Sequence, residues 1–171
     1  LMHDAWPLIL SGMAAMLYMR IDQIMLGQML GDKSVGVYSA ALRLSEVWYF
    51  IPIAIAGSVF PSIVEARERD FRLYYSRLKK LFDLMVLMAI AIALPISFSA
   101  GVIIRLLYGD GYNESANILV IHVWTGLFVF LGVASSRWFI AEGLQTYTFY
   151  RTLAGCLVNV ILNYFWIPLY G

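Results

Sequence analysis

The chain is poor in cysteine, histidine and charge. Cys156 is the only cysteine and lies in an apolar stretch, so the sequence excludes an internal disulfide, a thiolate metal site and a Cys-Cys redox motif. Charged residues make up 13% of the chain, whereas a soluble domain carries about 25%. No basic strip alternates with aromatic residues, so nucleic acid is not an expected partner. These absences argue against a soluble enzyme or a nucleic-acid-binding module.

Long apolar runs are what the chain has instead. The apolar fraction is 61% and the mean hydropathy is +0.76. Each run approaches the ~20 residues needed to cross a bilayer. We therefore predict an all-α membrane protein in which residues 1–171 form one transmembrane segment with about five helices. The predicted helices cover about 6–30, 36–62, 81–104, 116–140 and 148–168.

The basic residues predict how these spans are oriented. Six of the twelve basic residues fall in the connection 64–80. The connections on the opposite side carry only Lys33 and Arg105, whereas Arg137 and Arg151 flank the connection on the same side. Cytoplasmic connections are enriched in Lys and Arg, so we expect 64–80 to be cytoplasmic. We interpret it as a surface helix of a multi-pass membrane protein, with orientation as its task.

Four charged side chains lie inside the first two predicted spans. A charge at mid-bilayer costs roughly 3 kcal/mol. The hairpin turn is centred near residues 32–33, and Asp22 and Arg43 each lie about ten residues from it, hence ~15 Å below its outer end. Arg20 and Glu46 match each other in the same way. The spacing predicts two pairs of opposite charge at equal depth, Asp22 with Arg43 and Arg20 with Glu46.

Two interpretations of these charges stay open at the level of sequence. The four residues either fasten the hairpin by pairing, or some of them line a water-filled cavity, because ionisable residues inside a membrane usually mark a pathway. We assign Asp22 as a structural charge partner. The candidate cavity residues, which would bind substrate, are Arg20, Arg43, Gln23 and Glu46.

The fourth and fifth spans carry further polar residues. Gly155, Asn159 and Asn163 recur every four residues and form one polar stripe on an apolar helix. We favour hydrogen bonding between helices for the asparagines, with close backbone approach at Gly155, over direct contact with substrate. His122 is expected to be a hydrogen-bonded packing residue.

Three stretches resemble one family. "WPLILSGMAAMLYMRIDQIMLGQMLGDKSVGVYSAALRLSEVWYFIP" resembles the opening of the second half of bacterial polysaccharide and O-antigen flippases of the multidrug/oligosaccharidyl-lipid/polysaccharide exporter superfamily. "LLYGDGYNESANIL" is similar to that family's outer turn between helices nine and ten, and "LVNVILNYFWIPLYG" to its eleventh helix. The resemblance implies a protein of twelve or more helices in two lobes, with these residues as helices seven to eleven of its second lobe.

The resemblance also implies a function and partners. It implies that lipid-linked oligosaccharide of the polyprenyl pyrophosphate type moves from the inner to the outer leaflet, with membrane lipids and an N-terminal lobe of the same polypeptide as partners. A drug or cation antiporter of the multidrug and toxin extrusion type shares the architecture and is the alternative. A membrane-embedded glycan-processing enzyme is disfavoured, because the short outer connections carry three acids and no histidine. No catalytic residue, metal or cofactor is expected.

Overall fold

A computed structural model describes residues 2–170, with side chains described from residue 9 onward except at 11, 14, 15, 17, 18 and 170. All regular structure in this range is helical, which confirms the expected all-α class. The helices are α1 (Met2–Leu30), α2 (Asp32–Glu46), α3 (Phe50–Arg69), α4 (Phe71–Tyr108), α5 (Asn113–His122), α6 (Thr125–Ala141) and α7 (Gln145–Tyr170). Short 3₁₀ turns, Val47–Tyr49 and Asp110–Tyr112, precede α3 and α5.

Several helices have the length and composition of membrane spans. Within the described residues three qualify: Asp32–Arg69, Phe71–Tyr108 and 145–169. Asp110–His122 and Thr125–Ala141 qualify together as a fourth, with a bend of 43° between them. The sequence predicts about five spans. The remaining one, 6–30, corresponds to α1, many of whose side chains lie outside the described part of the chain.

The non-helical breaks between the long helices contain fewer residues than the polar connections predicted from the sequence. At residues 31–36 the break is confined to Gly31, whose φ of +85° suits glycine because it has no Cβ. The basic connection 64–80 is helical except at Asp70. The Asp70 side chain accepts hydrogen bonds from the backbone N–H groups of Arg72 (2.8 Å) and Leu73 (3.4 Å), so Asp70 is the N-cap of α4.

The chain divides into two compact units. Unit 1 comprises residues 1–39 and 143–171, and unit 2 comprises 40–142. In unit 1, α1 packs against α7. In unit 2, α4 lies centrally and packs against α3, α5 and α6. Its buried side chains recur every three or four residues, so one stripe of the helix faces the core. The stripe consists of Tyr74, Leu78, Leu81, Met85, Ala89, Ala93, Ile96, Ala100 and Ile104.

Several serine and threonine hydroxyl groups on the apolar helices bond to the helix that carries them. Each donates to a backbone carbonyl three or four residues earlier in the chain. Ser99 donates to the carbonyl of Pro95 at 2.6 Å. Pro95 itself has no backbone N–H to donate within the helix. The other examples are Ser45, Ser58, Ser62, Ser135, Ser136 and Thr152.

The α5–α6 break is joined by hydrogen bonds to the 3₁₀ turn before α3. Buried Ser45 lies with its Oγ 2.7 Å from His122 Nδ1. The Tyr49 hydroxyl lies 3.1 Å from Thr125 Oγ1, and Thr125 donates to the carbonyl of His122 at 2.7 Å. His122 is therefore the hydrogen-bonded packing residue that the sequence predicts. These bonds satisfy polar groups where two helices are interrupted side by side.

Candidate functional site

The polar groups at the centre of unit 1 converge on Asp22 of α1. Asn163 Nδ2, on α7, donates to one carboxylate oxygen at 2.7 Å. The Tyr38 hydroxyl, on α2, donates to the other oxygen at 3.3 Å. Both oxygens thus have a partner, and within its own unit the partners of this carboxylate are neutral. A carboxylate with donors on both oxygens has lost much less hydrogen bonding on burial than a bare one.

The asparagine stripe of α7 continues this network. Asn163 Nδ2 also lies 3.1 Å from Asn159 Oδ1, so a single amide donates to both Asp22 and Asn159. The bond to Asp22 joins α7 to α1. By contrast, a Cβ added at Gly155 would meet no atom within 4 Å. Within the part of the chain that the structure describes, nothing packs closely against Gly155, so the close backbone approach predicted there is wrong for these residues.

Arg20 points away from this network. It precedes Asp22 by two residues, which places the two side chains about 200° apart around α1. Arg20 is exposed, and its guanidinium reaches Gln23 Oε1 at the long distance of 3.5 Å. Among the described residues, Arg20 therefore has one long contact, while Asp22 accepts a hydrogen bond on each carboxylate oxygen.

Arg43 and Glu46 belong to unit 2. Arg43 is exposed in the last turn of α2, and Glu46 is the half-buried final residue of that helix. The predicted pairs, Asp22 with Arg43 and Arg20 with Glu46, each join a residue of one unit to a residue of the other. Both pairings stay predictions.

The unit 1 site offers chemistry suited to binding an anionic group. A guanidinium binds phosphate or carboxylate oxygens through two parallel N–H donors. Carboxylate, amide and phenol groups hold one another in position around Asp22. Among the described residues no group of three or more His, Cys, Asp or Glu side chains could hold a metal ion.

Comparison with known protein families gives a match over almost all of the chain. Residues 7–165 match the MatE family. The chain belongs to the MatE family. This confirms the expected superfamily, and with the apolar helices it makes the chain part of a multi-pass membrane protein.

Two curated relatives match the MatE chain over most of its length. "Probable flippase AglR" from Haloferax volcanii is 26% identical over 170 residues, which is 95% of this chain and 35% of the relative. "Amylovoran biosynthesis protein AmsL" from Erwinia amylovora is 28% identical over 149 residues, which is 85% of this chain and 38% of the relative. The chain therefore spans little more than a third of the length of these relatives. No solved structure matches it significantly.

Sequence reasoning missed Tyr38 as a member of this MatE site. Matching depths along the hairpin pointed to Arg43 as the partner of Asp22, because that argument sought an opposite charge. Tyr38 lies closer to the turn, and a long side chain with a terminal hydroxyl can reach a neighbouring helix. Its polar tip inside an apolar run was the available signal.

A second polar cluster joins three helix ends within unit 2 of the MatE chain. Glu142, just after α6, accepts a hydrogen bond from the buried Tyr74 hydroxyl at 2.5 Å and one from Arg67 at 3.2 Å. Tyr74 lies at the start of α4 and Arg67 near the end of α3. The hydrogen bond from Tyr74, and then the one from Arg67, hold the pKa of Glu142 below its usual range against an opposing effect of burial. The cluster fastens the basic end of unit 2.

Proposed function

We propose that this chain is part of a transporter that flips lipid-linked oligosaccharide across the cytoplasmic membrane. The observation that carries the proposal is the similarity of almost the whole chain to a relative named as a flippase and to another named for polysaccharide biosynthesis. The helices of the chain suit such a task because they are long and apolar, with a polar centre that lies between helices. The absence of a catalytic role is part of the same proposal.

Arg20 is the proposed contact for the substrate. A polyprenyl pyrophosphate presents closely spaced phosphate oxygens, which suit the planar fork of donors on a guanidinium. Arg20 is exposed on α1 and its one weak contact, with Gln23, is easily exchanged for a phosphate. Asp22 has its own neutral partners, so it need not neutralise Arg20.

Further residues complete the proposed cavity. Gln23 would hold Arg20 in place and donate to the sugar or phosphate. Arg43 would add a second cation, and Glu46 would hold Arg20 when the cavity is empty. The second wall of the cavity would come from an N-terminal lobe of the same polypeptide. The membrane would be the bacterial cytoplasmic membrane, with 64–80 on its inner side.

One observation favours a second function, that of a drug or cation antiporter. In the sequence, each acid inside the first two spans is matched by an arginine, which disfavours the antiporter. In the structure, however, the hydrogen-bond donors to Asp22 within its own unit are neutral. A carboxylate without a cation beside it can attract a cationic substrate. The two functions therefore assign the substrate contact to different residues of α1, Arg20 for the flippase and Asp22 for the antiporter.

Charge-conserving and charge-removing changes in the full-length protein test the flippase. Arg20→Gln should abolish surface polysaccharide, and Arg20→Lys should leave it much reduced, because lysine keeps the charge and lacks the fork. The matched control is Arg105→Gln, since Arg105 is an exposed arginine whose one ion pair among the described residues is with exposed Asp110. Two results together would overturn the flippase proposal in favour of the antiporter. They are normal surface polysaccharide in a well-expressed Arg20→Gln strain and loss of drug or cation export in an Asp22→Asn strain.

A further inference from the structure

The basic end of unit 2, at the start of α4, carries three cations whose side chains have no partner among the described residues. Arg72, Lys79 and Lys80 make no side-chain hydrogen bond or ion pair with any described residue. The other three basic residues of the stretch are engaged: Arg67 by Glu142, Arg69 by Glu65, and Arg77 by the backbone carbonyl of Ser62. The stretch therefore divides into a structural half and an unpaired half.

The unpaired cations share one face of α4. Lys79 follows Arg72 by two helical turns and Lys80 is adjacent to it, opposite the buried stripe that contains Tyr74. All three cations are exposed. Asp83, one turn further on, is also exposed and lies beyond ion-pair distance of them. The face thus keeps an excess of positive charge that no element of unit 2 covers.

The same face of α4 becomes apolar immediately beyond these residues. Leu87, Phe98 and Val102 are exposed to 65%, 88% and 71%. The apolar zone 84–104 is about 31 Å long at 1.5 Å per residue, close to the ~30 Å thickness of the bilayer hydrocarbon. Arg105 follows at its far end. The length of this zone sets Lys79 and Lys80 at the depth of the lipid headgroups on one side of the bilayer.

We propose that Arg72, Lys79 and Lys80 form a binding surface for anionic phospholipid headgroups. The phosphates of the adjoining leaflet lie within reach of the long side chains of Lys79 and Lys80. Arg72 lies about 10 Å further along the helix, within about one Debye length, and adds to the positive potential at the membrane surface. Exposed Phe71 and Tyr75 belong to the same end of α4, as expected of aromatic residues at a membrane interface. The surface anchors the base of unit 2 laterally to lipid. This proposal does not depend on which substrate the protein transports, since the three residues are remote in sequence from Arg20.

Lipid titration of the purified full-length protein tests the surface. The protein in a neutral detergent is titrated with phosphatidylglycerol or with phosphatidylcholine, and bound lipid is counted by native mass spectrometry. Binding of phosphatidylglycerol should fall about fivefold for each cation removed, hence roughly a hundredfold in the triple variant Arg72→Gln/Lys79→Gln/Lys80→Gln. Wild-type binding should also weaken as NaCl shortens the screening length.

A second triple variant, Lys33→Gln/Arg69→Gln/Arg105→Gln, is the matched control because it removes the same charge from three other exposed positions. Its phosphatidylglycerol binding should stay near that of the wild type. Equal losses in both triples, equal wild-type binding of the two lipids, or wild-type binding that is indifferent to NaCl would each overturn the proposal. The NaCl and lipid comparisons on the wild type hold even where a variant does not fold.

A third titrant, a polyprenyl diphosphate, separates recognition of the phospholipid from recognition of a carrier lipid. If the first triple variant binds phosphatidylglycerol normally but loses a polyprenyl diphosphate, the phospholipid proposal is overturned and the face is a docking site for the carrier lipid. If both ligands are lost together, the surface recognises lipid phosphate at this depth, and the proposal stands.

Discussion

Removing one hydroxyl from the core of unit 2 should destabilise the protein measurably. Tyr74 is fully buried and donates a 2.5 Å hydrogen bond to Glu142. Tyr74→Phe deletes that donor and leaves the ring in place. We expect the free energy of unfolding to fall, because the carboxylate loses its shortest partner in a site that bulk water reaches poorly.

The magnitude follows from the type of bond. A hydrogen bond to a charged group contributes about 1.5–3 kcal/mol. The Glu142 side chain is 23% exposed and keeps its contact with Arg67, so a value near 2 kcal/mol is expected. For a folding unit of the size of this chain that corresponds to a decrease of about 4–8 °C in Tm, and to a proportionally smaller decrease if a longer protein unfolds as one unit. Arg67 itself is 40% exposed, and its ion pair adds about 1 kcal/mol or less.

The assay is thermal unfolding of the purified full-length protein in detergent, with Tyr75→Phe as control. Tyr75 undergoes the same chemical change at the next position, but its side chain is 61% exposed and its hydroxyl bonds to no described residue. Tyr75→Phe should leave Tm unchanged within about 1 °C. Equal Tm values for the two variants would refute the reasoning, because the Tyr74–Glu142 bond would then contribute nothing.

The same bond predicts a pH dependence. The pKa of Glu142 is lower in the folded protein than its ordinary value of 4.5, so the unfolded state takes up the proton first as pH falls. The stabilisation is therefore fully present above pH 4.5 and is lost as pH falls through the lowered folded value. The difference in Tm between the wild type and Tyr74→Phe should be largest near neutral pH and should shrink below pH 4.5.

Two further predictions concern the site and the orientation. Asn163→Leu should lower Tm by more than Asn159→Leu, because Asn163 bonds to the Asp22 carboxylate at 2.7 Å whereas Asn159 only accepts a bond from Asn163; a larger decrease for Asn159→Leu in the same thermal assay would contradict this order. Ser76→Cys, in a chain with Cys156→Ser, should react with a membrane-impermeant thiol reagent only after cells are permeabilised, since the six basic residues of 64–80 predict a cytoplasmic connection. Labelling of intact cells would reverse the predicted orientation.

The helices, their breaks and the polar residues inside the apolar runs could be predicted from the sequence, because each depends on a local pattern. Apolar runs of sufficient length predicted the helical class, and glycine predicted the breaks at Gly31 and Gly109, where φ is positive. The stripe of Asn159 and Asn163 was visible because four-residue spacing repeats one face of a helix. Each of these features is legible within a single stretch of about 20 residues.

The partners of these residues could not be predicted in the same way. Tyr74 and Glu142 are 68 residues apart in sequence, and Asp22 and Asn163 are 141 apart. No local period relates positions so distant, so only the packing of the helices brings them together. Depth matching compares only charges that precede the interruption at Val47–Tyr49, and no sequence pattern decides between its two pairings, which stay predictions.

The hydroxyl groups that bond to their own helices make the apolar helices better suited to a lipid environment than their sequence suggests. Ser58 and Ser62 donate to the carbonyls of Ile55 and Val59, so neither needs water or a neighbouring helix. A hydropathy scale nevertheless scores each serine as polar, and so overestimates the cost of exposing the surface of α3 to lipid. A serine on these helices does not mark a water-filled route, whereas an amide such as Asn163, which bonds across to another helix, identifies a contact between helices. Changing Ser58 to alanine should therefore leave both insertion and helix packing as they are.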